Sequence, residues 1–385
     1  MRDFRSQTIK SIKPSGIRKF FDIARTIPDC ISLGVGEPDF DTPWHISEEG
    51  IYALERNKTF YTSNQGLSEL RDEISIWNKR KYNLDYTSDE VIVTAGASEA
   101  IDIALRATIN PGDEVIILEP AYVSYEPLIK LSSGKPVIIN LKEKNEFRLT
   151  AKELEAVITP KSKILLINYP NNPTGAVMDR KALEEIKDII IKYDLLVISD
   201  EIYSELTYDT SHVSIGSLPE MHDRTITING FSKAYSMTGW RLGYILGPKS
   251  ITDEIKKVHQ FSIMCASTIS QYAGIEALKN GDDEILRMKE EYNTRRNYLL
   301  SELKRLNLDC FTPRGAFYCF PNISKYNKSS EDFATDLLEK EHLVVVPGTA
   351  FGSSGEGFIR ISYAYSLDEL KEAISRLEHY LKNNY

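Results

Sequence analysis

The chain has 385 residues, of which 42 % are hydrophobic and 27 % charged, and its formal net charge is -9. That balance fits a globular protein of two or three domains with a sizeable core, and excludes a disordered or fibrous chain. The acidic surplus argues against a nucleic-acid partner. The four cysteines, Cys30, Cys265, Cys310 and Cys319, form no CxxC pair and read as reduced thiols.

The first twenty residues carry positive charges with no apolar core behind them, so no secretory signal is expected. No apolar run approaches the roughly 20 residues that span a bilayer. The six histidines show no HExxH or HxxxH spacing, so no metal site is expected. A soluble, cytoplasmic protein is the simplest expectation.

From residue 91 onward, short apolar runs alternate with helical patterns. The runs are Val91–Ala95, Val115–Leu118, Val137–Leu141, Lys163–Asn168, Leu195–Ser199, Thr225–Asn229 and Leu242–Leu246. Most are β-branched and apolar on both faces, as strands of a mainly parallel sheet covered by helices must be. Between them, Ala97–Ile109 repeats apolar residues with helical spacing, and so does Asp179–Tyr193. The expected fold class is α/β, with a seven-stranded sheet sandwiched by helices.

The texture changes near residue 282. A long charged helical pattern runs from Glu284 to about Leu306. Strand-like Phe317–Phe320, a helix near Glu331–Lys340, strand-like Val344–Val346 and Phe358–Ser362, and a helix from Leu367 follow. This predicts three parts: residues 1–40 packing with the small domain, a large domain at 41–281, and a small α+β domain at 282–385.

Four polar motifs end four of the strands. Lys233 follows 225–229, Asn168–Gly175 follows 163–168, Asp200 and Tyr203 follow 195–199, and Gly96–Ser98 follows 91–95. Singly each is ordinary: a loop lysine, a turn, an N-capping aspartate with a packed tyrosine, a capped helix. Together they put a nucleophilic amine, a carboxylate, a phenol with an amide, and an anion-binding helix start along one sheet edge. That set suits a phosphorylated pyridine aldehyde.

The ordered motifs resemble the class I, fold-type I aminotransferases, in the archaeal and bacterial aspartate and aromatic branch. They are Leu33-Gly-Val-Gly-Glu-Pro-Asp-Phe-Asp-Thr-Pro43, Tyr61 with Gly66-Leu67, Asn172-Pro-Thr-Gly175, Ser199-Asp-Glu-Ile-Tyr203, Lys233 to Gly239-Trp-Arg-Leu-Gly243, Arg314-Gly-Ala-Phe-Tyr318 and Phe358-Ile-Arg-Ile-Ser-Tyr363. The resemblance covers nearly the whole chain. It implies pyridoxal 5'-phosphate as cofactor, with Lys233 as the Schiff-base lysine and proton carrier. Asp200 would pair with the ring nitrogen, Tyr203 and Asn172 with the ring hydroxyl, and Tyr122 would stack on the ring. The amides at Gly96, Ala97 and Ser98 would hold the phosphate, with Ser232, Arg241 and a neighbouring subunit's Tyr61, which implies a homodimer. Gly36, Asn172 and Arg360 would receive the substrate α-carboxylate, and the segment around Ile17 would close over it.

The implied reaction is ping-pong transfer of an amino group from an L-amino acid to a 2-oxo acid such as 2-oxoglutarate. Acid-specific relatives often carry lysine where Ser98 stands. That difference, with the aromatic-type segment Ser15–Ala24, favours broad aromatic and acidic donors. Some branches carry a serine where this chain has Gly230. A β-lyase of the same fold is the alternative within the cofactor class. The acidic charge and the short polar lead argue against a DNA-binding regulator on this fold.

Overall fold

The computed structural model describes residues 2–14, 16 and 27–385. The expectations placed on Ile17 and on most of Ser15–Ala24 lie outside the described residues.

The centre is a seven-stranded sheet. Its members in chain order after the short β1 (Ile31–Ser32) are β2 (Val91–Thr94), β3 (Glu114–Glu119), β4 (Lys135–Asn140), β5 (Ser162–Asn168), β6 (Leu196–Asp200), β7 (Thr225–Gly230) and β8 (Gly243–Leu246). The spatial order is β2-β8-β7-β6-β5-β3-β4. Five neighbouring strands, β3 to β7, run parallel. β8 runs antiparallel to both β2 and β7, which its apolar run alone could not announce.

Both faces of this sheet are buried except along the edge strand β4, and successive side chains serve opposite cores. Ile116, Leu118, Leu165, Ile167 and Val197 pack with Leu183, Ile186 and Ile190 of the helix Arg180–Lys192. Ile117, Ile164, Leu166, Ile198 and Ile228 pack the other way, on Ile101, Ala104 and Leu105 of the helix Ala97–Thr108. A period of two along each strand with apolar residues in both phases is what a covered sheet requires. Asp179 caps the first of these helices, its carboxylate accepting the Ala182 N–H at 2.9 Å.

A second core lies beside the sheet. The helix Asp282–Arg305 buries Ile285, Met288, Tyr292, Leu299 and Leu303 along one stripe. Much of it packs with the helices Ser330–Glu341 and Leu367–Asn384 and with small strands. Those strands are β9 (Tyr318–Cys319), β10 (Leu343–Val344), β11 (Val346–Pro347) and β12 (Ile359–Ser362), with sheet order β11-β12-β9. β1 pairs with β10, so the chain just before residue 34 belongs to this second core. Among the described residues no helix is long and apolar enough to cross a membrane.

This layout brings the polar ends of several strands to one edge. Asn168 and Asp200 are paired residues at the ends of β5 and β6. Gly230 at the end of β7 pairs with Gly243 at the start of β8, and Gly243 also pairs with Thr94 at the end of β2. Because β8 is reversed, its N-terminal end joins the C-terminal ends of the others. Arg241 therefore arrives beside Lys233 and Gly96.

Candidate active site

A cleft of about 370 Å³ opens at that edge, between the sheet and the second core. Of the residues singled out in the sequence, Gly36, Ala97, Ser98, Tyr122, Asn172, Asp200, Tyr203, Ser232, Lys233, Arg241 and Arg360 line it. Two do not. Gly96 lies just beneath the wall. Tyr61 is 81 % exposed and borders a separate hollow with Phe60 and Cys265.

Lys233 stands in a short helix, Phe231–Ala234, directly after β7. Its Nζ donates to the Gly36 carbonyl at 2.6 Å and lies 5.7 Å from the Phe317 ring centre. Burial among these groups disfavours the ammonium and lowers its pKa from 10.5 to about 8. An amine poised there can serve as nucleophile and as proton carrier near neutral pH.

That shift has a stability consequence. The folded pKa lies below the ordinary one, so folding works against the charged amine at pH values below about 8. The penalty is up to about 3 kcal/mol. It fades as pH rises from about 8 to 10.5, where the unfolded chain also loses the proton. Cofactor-free Lys233→Met should therefore resist urea better than the cofactor-free parent at pH 7. The gap should narrow towards pH 10. A constant gap would mean that packing, and not charge, separates the two.

Asp200 ends β6 with its carboxylate buried. Burial raises its pKa to about 6, against the Tyr125 hydroxyl, which donates to Oδ2 at 2.7 Å, and the Ile202 N–H, which donates to Oδ1 at 3.2 Å. Asn168 braces the same turn. Its amide donates to the Asp200 carbonyl at 2.8 Å, and its own side-chain oxygen accepts the Asn172 N–H at 3.1 Å.

The opposite wall comes from β12. Arg360 is buried and its guanidinium is held between two rings, 4.3 Å from Tyr318 and 4.7 Å from Phe351. One nitrogen donates to Asn172 Oδ1 at 2.8 Å, another to the Gly34 carbonyl, and Nε has no partner among the described residues. A planar fork with a spare donor suits a carboxylate. Tyr318 also meets the Tyr203 hydroxyl at 2.8 Å. Gly36 is bare for a reason: a Cβ there would sit 2.2 Å from the Tyr318 hydroxyl.

The third wall is the start of the helix Ala97–Thr108. Its N-cap is Gly96, in the left-handed region at φ 86°. A Cβ at Gly96 would lie 2.7 Å from an Arg241 nitrogen, so glycine lets the guanidinium lie close against the turn. Arg241 itself has φ 52°, and one of its nitrogens donates to the Thr238 carbonyl at 2.9 Å. The first-turn amides of a helix, a hydroxyl at Ser98 and a guanidinium thus share one corner, which is chemistry for an anion.

Sequence reasoning left Tyr125, Asn168 and Tyr318 without roles. Tyr318 stood inside a quoted motif and Asn168 opened another. For Tyr125 the one available signal was its spacing, three residues beyond Tyr122.

Fold and cleft together define an α/β enzyme that sets a buried amine between two anion-binding corners. A family model described as aminotransferase class I and II matches residues 28–377. An aspartate aminotransferase of Pyrococcus abyssi is 44 % identical over 381 residues, covering 98 % of each chain. An aromatic-amino-acid aminotransferase 2 of Thermococcus litoralis is 42 % identical over 381 residues, again covering 98 % of each. The solved aspartate aminotransferase from Thermus thermophilus with maleate matches with a TM-score of 0.94 at 36 % identity, covering 98 % of this chain and 100 % of that one. The chain belongs to the class I and II aminotransferases. It is a transaminase, and its family works with pyridoxal 5'-phosphate.

Proposed function

We propose that this transaminase takes the amino group of aspartate and of aromatic L-amino acids and passes it to a 2-oxo acid, with 2-oxoglutarate as the leading acceptor. The observation that carries the reading is one cleft in which Lys233, Asp200 and Arg360 converge while Arg241 and the Gly96–Ser98 turn close its far corner. The names of the relatives above support both donor classes.

The residues fit the cofactor by their chemistry. The bare turn at Gly96 under Arg241 suits its phosphate, with Ala97, Ser98 and Ser232 beside it. Buried Asp200 has one short donor and one long one, and suits a protonated ring nitrogen. Tyr203 and Asn172 suit the ring hydroxyl, and Tyr122 the ring face. When bound, the cofactor supplies an aldehyde for the amine and a ring that withdraws electrons from the substrate Cα.

Lys233 would hold the cofactor and, once released, would take the proton from the substrate Cα and pass it to the cofactor's aldehyde-derived carbon. Asp200 keeps a positive charge on the ring nitrogen. Arg360 takes the α-carboxylate, with Asn172 and the bare backbone at Gly36 beside it, and fixes the substrate's orientation. Amino acid and oxo acid share this site in turn, which makes the cycle ping-pong.

The reading includes a large lobe at 41–281, a small lobe at 282–385 with residues 27–40 against it, a cytoplasmic location and a homodimer. Exposed Trp44, Phe60, Tyr61 and Phe261 support a covered surface between subunits. Tyr61 would reach the partner's phosphate corner across it.

The test is the visible band of the cofactor-loaded protein. Aspartate, phenylalanine and tyrosine, added singly, should bleach it, and 2-oxoglutarate should restore it. A band that no amino acid bleaches, or bleaching that yields pyruvate and ammonia, would overturn the reading.

A further inference from the structure

Tyr125 is the first residue of the helix Tyr125–Leu131 and is 2 % exposed. Among the described residues, the one hydrogen-bond partner of its hydroxyl is the Asp200 carboxylate, at 2.7 Å. Its ring meets Tyr122 edge-on, with centroids 5.5 Å apart and planes at 77°. Its backbone N–H donates to the Tyr122 carbonyl at 3.2 Å. One buried side chain therefore touches both the acid and the aromatic residue proposed to contact the cofactor ring.

Packing alone would be served by phenylalanine, which fills nearly the same volume. The hydroxyl adds a single interaction, and all of it falls on Asp200. Leaving a buried carboxylate short of a donor is costly. The Ile202 N–H at 3.2 Å is the longer of its two contacts. Burial and the nearby carboxylate push the Tyr125 phenol well above its ordinary range, so it remains a donor wherever the enzyme works.

We propose that Tyr125 is a positioning residue of the transamination site, whose hydroxyl keeps the Asp200 carboxylate ionised and aimed for the cofactor's ring nitrogen. It acts on the reaction through Asp200, without touching substrate. The inference rests on the reading of Asp200 given above. Its ring contact with Tyr122 adds a second brace, but the hydroxyl carries the electrostatic part.

The test is a double-mutant cycle read as the dissociation constant of pyridoxal 5'-phosphate, measured by equilibrium dialysis on the full chain. Tyr125→Phe should weaken binding roughly 10- to 100-fold, the range for a hydrogen bond to a charged group. In an Asp200→Ala background the same change should have an effect of about twofold or less. Equal losses in both backgrounds would mean a merely structural role and would overturn the proposal. So would no loss from Tyr125→Phe where Asp200→Ala weakens binding strongly, a result that leaves the Asp200 reading standing. If Asp200→Ala binds as tightly as the parent, that reading falls and this one with it. Should the Phe variant fail to fold by circular dichroism, Tyr125→Gln takes its place in the cycle. Its amide N–H keeps a donor, so binding within a few-fold of the parent supports the proposal, and a loss matching Asp200→Ala overturns it.

Discussion

Lys233→Ala is expected to lose transamination by on the order of 10⁴-fold or more, because one substitution removes both the proposed nucleophile and the proposed proton carrier. Its neighbours should still bind the cofactor, since the Gly96–Ser98 turn, Arg241 and Asp200 do not depend on the amine for their geometry. Single-turnover measurements on cofactor-loaded protein separate these two effects. Retained binding with lost turnover is the expected pair. Near-normal transamination in the variant would remove Lys233 from the mechanism, and with it the core of the functional reading.

Arg360→Lys is the second large effect. The parent guanidinium carbon lies 4.3 Å from the Tyr318 ring centre and 4.7 Å from that of Phe351. An ammonium cannot stack in that slot or engage a carboxylate at two points. The KM for amino acid and the KM for oxo acid should rise together, each on the order of 10²- to 10³-fold, the range for losing a buried charge-paired hydrogen bond. Cofactor binding should change little. A rise in only one of the two constants would show that donor and acceptor are gripped by different residues.

The two effects draw on unequal kinds of sequence information. Lys233, Asp200 and the Gly96–Ser98 turn were legible because each directly follows a strand, and strand ends in an open sheet share an edge. The apolar runs marked all seven strands because both faces of this sheet are covered. The reversal of β8 was not legible, since strand direction leaves no mark on an apolar run of four residues. Arg360 came into view only through family resemblance. Its slot is built from Tyr318 and Phe351, brought beside it by pairing among β9, β11 and β12. The bond from Tyr125 to Asp200 spans 75 positions, and that from Tyr203 to Tyr318 spans 115. Periodicity reports which face of an element is apolar, but says nothing of which distant hydroxyl meets which oxygen.

The segment from Gly34 to Gly36 follows β1 and so travels with the second core, yet its carbonyls accept from Lys233 and from Arg360. Each cation is already solvated by the protein's own backbone. A ligand at either position therefore largely exchanges one partner for another, and the bond it adds is the one to the spare Nε of Arg360. Exchange of that kind yields modest ground-state affinity, with the net gain confined to the charge on the incoming group. For a catalyst that must release a product after each half-cycle, weak retention works in favour of turnover. The two carbonyls also link the amine of one core to the guanidinium of the other through three residues of chain. Of the two, the Lys233–Gly36 contact is the one that crosses from the sheet to the second core, so displacing it loosens a tie between them and couples occupancy of the cleft to how they sit.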